Sequence, residues 1–282
     1  MNLKIPFFVI ALTLIVALCS CSSGNDGESA GGDVTVAADS IVETGAFKKS
    51  NGETCEMKVS LVVSYPQAYK DAESLARLQQ LFKSTMLKAQ ESASVKDAMK
   101  ICAKSMIYSN TPSQYGNTRS SAEVVGGDVD EIDIDRFESR VVIKVIYNDN
   151  DVITFCREES IDKNGQLTST SHHYTSFDLK EMKKITLSDL FRDECLDKVT
   201  AQLKTKLMDD KGASNDDELN EMGYFNLPNL SVTSNFFFTS KGVTWSYDPS
   251  VIAVASVGEP TINIDYDDLQ DYLSDNSIIK RL

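Results

Sequence analysis

Histidine is nearly absent from this chain: among 282 residues only His172 and His173 occur. That scarcity, with no HExxH and no C-x-x-C pair, excludes the His-rich and CxxC zinc patterns. Positive charge is also short, with 28 Lys and Arg against 42 Asp and Glu and a formal net charge of −14. A surface of that sign argues against nucleic acid and against electrostatic docking on anionic lipid. It suits a cationic partner or simple solubility. Long apolar runs are missing after the first eighteen residues, so nothing later is long enough to span a bilayer. Tryptophan occurs once, as Trp245, on a strand face shared with Val243 and Tyr247, where it reads as core.

What is present begins at the amino end. Met1-Asn2-Leu3-Lys4 is weakly basic, and an apolar run from Ile5 to Leu18 follows, broken only by Thr13. That length fits the h-region of a secretory signal, about 7–15 residues, and falls short of the about 20 that a spanning helix needs. Leu18-Cys19-Ser20-Cys21 resembles a bacterial lipobox, with small Ser20 before the cysteine. It implies lipidation of Cys21, residues 1–20 as a lipoprotein signal peptide, and a lipid-anchored protein of the bacterial cell envelope. Residues 21–46, rich in Gly, Ser, Asp and Ala, read as a flexible acidic tether. Four cysteines remain, Cys55, Cys102, Cys156 and Cys195, and an even count in an oxidising compartment makes them candidates for disulfides of unassigned connectivity.

Periodicity predicts an α+β fold with mainly antiparallel sheets packed with helices, in two parts, 47–180 and 181–282. Met57, Val59, Leu61 and Val63 alternate as in a strand. Helical spacing runs over 71–89 and 94–106, the second placing Cys102 inward, and again over 187–208. Residues 140–147 and 152–158 read as a hairpin around a loop of about four residues. Asp162-Lys163-Asn164-Gly165 marks another turn. Strands 235–239, 243–247 and 261–266 and a short helix close the chain.

Phe177-Asp178-Leu179, followed by Lys184-Ile185-Thr186-Leu187-Ser188-Asp189-Leu190-Phe191, resembles the "FDL … L-x-DLF" phrase of RsiV-type extracellular domains. Phe236-Phe237-Phe238-Thr239-Ser240-Lys241-Gly242-Val243 is similar to the strand–turn–strand of that family, and Pro249, Ile252-Ala253, Ala255 and Gly258 to its "PYEIA-x-YA-x-G". The resemblance covers roughly residues 50–282 and implies a two-part α+β envelope domain, of a family mostly of unknown function. One of its members binds lysozyme, and a related module precedes polysaccharide deacetylase domains. Here "PYE" is reduced to Pro249-Ser250-Val251, which loses the tyrosine and the acid. The phrase is structural in physical terms, with Ser188 or Asp189 placed to cap a helix.

Candidate chemistry is sparse. His172 and His173 are adjacent, so on a regular strand they point to opposite faces and cannot share a metal. Neither Ser171 nor Ser176 sits in a G-x-S-x-G elbow. Asp130, Glu131, Asp133 and Asp135 form a carboxylate run without EF-hand spacing, readable as a charged edge strand or as a face for Ca²⁺ or a basic protein. The expectation is a non-enzymatic envelope binding protein with no cofactor or metal. Its candidate ligand-binding residues are His172, His173, Pro249, Ser250, Val251, Asp130, Glu131, Asp133 and Asp135. Its expected partner is lysozyme, another cationic cell-wall-active protein, or cell-wall glycan. The alternatives are an accessory or hydrolytic enzyme acting on peptidoglycan and a structural subunit of a lipoprotein complex.

Overall fold

The computed structural model describes residues 33–48, 52–110 and 134–282. The signal residues, Cys21, Asp130, Glu131 and Asp133 lie outside the described residues.

Strict alternation in β2 (Thr54–Ala68) buries Cys55, Met57, Val59, Leu61 and Val63 on one face. Two helices cover that face. In α1 (Ala72–Met86) Leu78, Phe82 and Met86 turn inward, and Asp71 caps the first turn by accepting from the Ser74 N–H. In α2 (Val95–Ser109), capped by Ser94, Ala98, Met99, Cys102 and Ala103 turn inward. Because both helices intervene before β3 (Arg136–Asp149), β2 and β3 run parallel, as a crossover requires. All other neighbours in the six-stranded sheet β1-β2-β3-β4-β5-β6 are antiparallel.

β4 (Val152–Lys163) and β5 (Gln166–Asp178) follow through two-residue turns. Asn150 and Asp151 have φ of 54° and 56°, and Asn164 and Gly165 have φ of 53° and 83°, the left-handed pair that a type I′ hairpin uses. The first loop is thus two residues rather than about four, because Asp149 already pairs with Val152. The two-residue β6 (Lys183–Lys184) completes this sheet.

The C-terminal part packs on the other face. α3 (Leu196–Lys211) buries Val199, Leu203 and Leu207 and ends at Gly212, φ 68°. After α4 (Asp216–Glu221) come β7 (Phe236–Phe238), β8 (Gly242–Ser246) and β9 (Thr261–Asp265), a small antiparallel sheet, and the single turn α5 (Tyr266–Leu269). Trp245 is fully buried in this second core, stacked 6.2 Å from Phe191. The two cores therefore occupy opposite faces of one α+β assembly: Ile153 and Phe155 point into the helical core and Val152 into the C-terminal one.

Several expectations need correction. Residues 35–46 are not tether but most of β1 (Thr35–Lys48), which pairs along its length with β2. Its inward residues are only half-buried, so its composition stays as polar as that of a solvated linker. The expected helix 187–208 is two 3₁₀ turns, Leu187–Asp189 and Asp193–Cys195, before α3. Thr186, not Ser188 or Asp189, is the cap, in a capping box closed by Asp189.

The four cysteines form no disulfide; each is a buried thiol. The fold keeps them apart. Cys55 clusters with Met57 and Phe137, Cys102 is on the buried face of α2, Cys156 is on β4, and Cys195 takes a hydrogen bond from Arg192 before α3. Burial pushes the thiols of Cys102 and Cys156 up, away from the reactive thiolate.

Candidate functional site

Alternation along β5 divides the two histidines. His173 is exposed, whereas His172 is half-buried and faces the C-terminal part with Tyr174 and Ser176. The loop between β8 and β9 brings Glu259 to it, 87 residues away in sequence, with His172 Nδ1 2.6 Å from Glu259 Oε2. The other ring nitrogen lies 3.6 Å from Glu158 Oε2 on β4. Glu259 accepts a second hydrogen bond at 2.9 Å from the hydroxyl of Ser246, which is fully buried. Asn235 ties the same strand from below: its side-chain N–H donates to the His172 carbonyl and its oxygen accepts from Tyr174 N–H. The Tyr174 ring lies 4.4 Å from Phe237, and its phenol is pushed up to about 12 by burial, then by the Cys156 thiol and Glu259.

This set contains serine, histidine and glutamate, but in an order unsuited to nucleophilic catalysis. A serine nucleophile needs the imidazole between itself and the acid. Here Glu259 stands between Ser246 and His172, and the second imidazole nitrogen meets a second carboxylate. The arrangement is a polar tie joining the large sheet to the β8–β9 loop. Among the described residues no group of three or more His, Cys, Asp or Glu converges in a way that would hold a metal ion.

The remaining candidates separate. Asp135 is exposed just before β3; its N–H donates to Asn164 and its carbonyl accepts from Glu56 N–H. Pro249, Ser250 and Val251 form an exposed turn after β8, with Ser250 at φ 66° and Val251 N–H bonded to the Asp248 carbonyl. That turn leads into a short pairing of two segments, where Phe225 N–H donates to Ile252 and Val254 N–H to Gly223. Along them four large apolar side chains are open to solvent: Met222 at 45%, Phe225 at 36%, Val251 at 46% and Val254 at 43%. The carboxylates of Asp216, Asp217, Glu218 and Glu221 precede Met222 directly on α4, and Asp248 precedes Val251.

A cleft of about 770 Å³ opens between the end of β5 and the C-terminal segment. Asp178, buried at its floor, accepts from the N–H groups of Lys180 and Glu181 and, at 2.6 Å, from Arg281. Sequence reasoning missed Glu158, Glu259 and Arg281. Each is an ordinary charged residue in its own neighbourhood and acquires its partner only through folding.

Residues 188–267 match the model of a family described as protein of unknown function, DUF3298. The DUF3298 segment contains Ser246, Glu259 and the 222–225 and 251–254 segments, while His172, Asp178 and Arg281 lie outside it. Solved structures that resemble the chain include two DUF3298 family proteins. A DUF3298 family member from Bacteroides fragilis NCTC 9343 is 18% identical, with a TM-score of 0.66 over 89% of this chain and 98% of that one. A DUF3298 family protein from Pseudomonas aeruginosa PAO1 is 15% identical, with a TM-score of 0.51 over 86% of this chain and 97% of that one. At these identities the likeness is one of fold. No curated protein matches the chain.

Proposed function

We propose that this chain is a lipid-anchored binding protein of the bacterial cell envelope, held at Cys21, that docks a basic protein and catalyses no reaction. One observation carries the reading: the exposed apolar cluster Met222, Phe225, Val251 and Val254, preceded on both segments by carboxylates, in a chain of net charge −14. Apolar side chains grouped on a surface mark interaction sites more than scattered ones do. Acidic flanks would speed encounter with a cationic partner and reject acidic ones. The likeness to RsiV-type domains makes lysozyme the first partner to test. The interposed Glu259 disfavours the rival reading of a peptidoglycan hydrolase built on His172.

The test is binding of lysozyme to the full chain in detergent across a salt series, with Val251→Asp and Phe225→Ala compared. Saturable binding that weakens with salt, and weakens about tenfold or more in either variant, is the expected outcome. Binding indifferent to both variants removes the patch from the reading. Absence of binding by lysozyme and by other basic envelope proteins at low salt removes the function.

A further inference from the structure

β1 is the outermost strand of the six-stranded sheet, and its second edge has no partner among the described residues. It is long for an edge, 14 residues, with no proline and no register shift beyond Thr35 and Val36. Such an edge presents a row of free N–H and C=O groups to any matching strand. Two acidic residues on its inner face, Asp39 and Glu43, would ordinarily deter pairing. Asp39 is neutralised by Lys96 of α2 at 3.2 Å. Glu43 has no cation partner among the described residues, and Lys100, one helical turn after Lys96, has no carboxylate partner there. α2 runs along β1, with Lys96 at Asp39 and Ile107 against Gly45. Four helical residues rise about 6 Å, the length of about two strand residues. Lys100 therefore stands level with Ile41, short of Glu43.

We propose that β1 pairs antiparallel with β1 of a second copy of this chain, about a two-fold axis through Val42. A continuous sheet needs opposed residues to share a face, so the axis passes through a residue rather than between two. Centring it on Ile41 would set Asp39 against Glu43, and centring it on Glu43 would set that carboxylate against itself. Like charges directly opposite destabilise a pair of strands. Centred on Val42, the ladder takes in residues 36–48 and opposes no two like charges. Ile41 then faces Glu43 of the second copy. Because Lys100 stands level with Ile41, the two unpaired charges meet across the interface, twice by symmetry. On the outer face, Val42 and its diagonal neighbour Val62, 59% and 39% exposed, join their symmetry mates in one apolar strip. The inference goes beyond the docking of a basic protein and uses none of the residues of that patch.

The test is sedimentation equilibrium of the full chain in density-matched detergent, with a charge swap. Lys100→Glu and Glu43→Lys are each expected to weaken the dimer about tenfold, and the chain carrying both to recover most of that loss. Damage to the fold would not be rescued in this way. Cross-linking fixes the register. Val42→Cys is expected to form an oxidised dimer, because only the residue on the axis meets its own copy at disulfide distance. Ala38→Cys and Ala46→Cys are expected to cross-link with each other when mixed and not alone. The four described thiols are buried, and the parent chain gives the background. A chain that stays monomeric in the hundred-micromolar range, no recovery in the double swap, or cross-linking of Ala38→Cys alone as strong as that of Val42→Cys overturns the proposal. So does a monomer whose β1 edge takes up an extended peptide instead. The Phe225→Ala chain is expected to dimerise as the parent does, which keeps failure of this pairing distinct from failure of the docking patch.

Discussion

Burial at single positions has consequences that solution chemistry can read. Cys102 and Cys156 are withdrawn from water, and their thiols are raised above the ordinary cysteine range. With Cys55 and Cys195 also buried and no disulfide among the four, a reductant has nothing to cut among the described residues. The melting temperature is therefore expected to be the same with and without dithiothreitol, and a thiol reagent should modify these four only after denaturation. A reductant-dependent melt would contradict the reduced core. Asp189 makes a second case. Its partial burial raises the carboxyl, but hydrogen bonds from Lys183 and Thr186 outweigh that and leave it lowered. A carboxylate depressed in the folded state contributes stability above its unfolded pKa and loses it as pH falls through the folded value. Acid unfolding below the ordinary carboxylate range is thus expected to soften in Asp189→Asn, read as a smaller stability loss between neutral and acid pH. A slope identical to the parent would remove Asp189 from the acid response.

Elements in this protein are held by backbone approach as much as by side chains. β8 passes so close to β9 that a Cβ on Gly242 would collide with the backbone of Ile264 and Asp265. Thr239 adds to the constraint: its hydroxyl accepts from the Gly242 N–H and its N–H donates to the Gly242 carbonyl. Gly242→Ala is expected to cost more than the about 1 kcal/mol typical of a change in a strand, with urea unfolding as the measure and Gly165→Ala as comparison. Gly165 has open space around it, so only its φ of 83° penalises a side chain there. Equal losses at the two sites would refute the steric argument. The family-like turn "T-S-K-G" thus has a mechanical basis that spacing alone does not express. β1 shows the reverse situation: an edge strand half-open to solvent leaves no clear apolar alternation, which is why its composition resembles a linker.

Across the whole molecule, charge and core placement divide the work. Two cores on opposite faces of one sheet make the His172–Glu259–Ser246 tie a joint between the large sheet and the C-terminal part. The chain carries a net charge of −14, and the influence of such an excess on a basic partner has the reach of the Debye length, about 10 Å at 0.1 M salt and about 3 Å at 1 M. Association with a cationic protein should therefore slow markedly as salt rises, whereas dissociation, governed by Met222, Phe225, Val251 and Val254, should change less. Surface-immobilised kinetics separates the two rates, and a salt effect confined to dissociation would contradict the division.

The local pattern of residues was enough to place α1 and α2, the positions of the two hairpin turns though not the length of the first, the alternating strands of the core and the burial of Trp245. Backbone geometry repeats within a few residues, so a short window carries that information. The partnerships that make a site had no local signature. His172 meets Glu259 across 87 residues and Asp178 meets Arg281 across 103. Those distances close only after the crossover has set β2 parallel to β3, β4 and β5 have turned their outer faces to the C-terminal part, and the last residues have folded back over the end of β5. Tertiary structure alone also decided the state of the cysteines. Their even number permitted disulfides, but the sheet and helices bury them in separate environments.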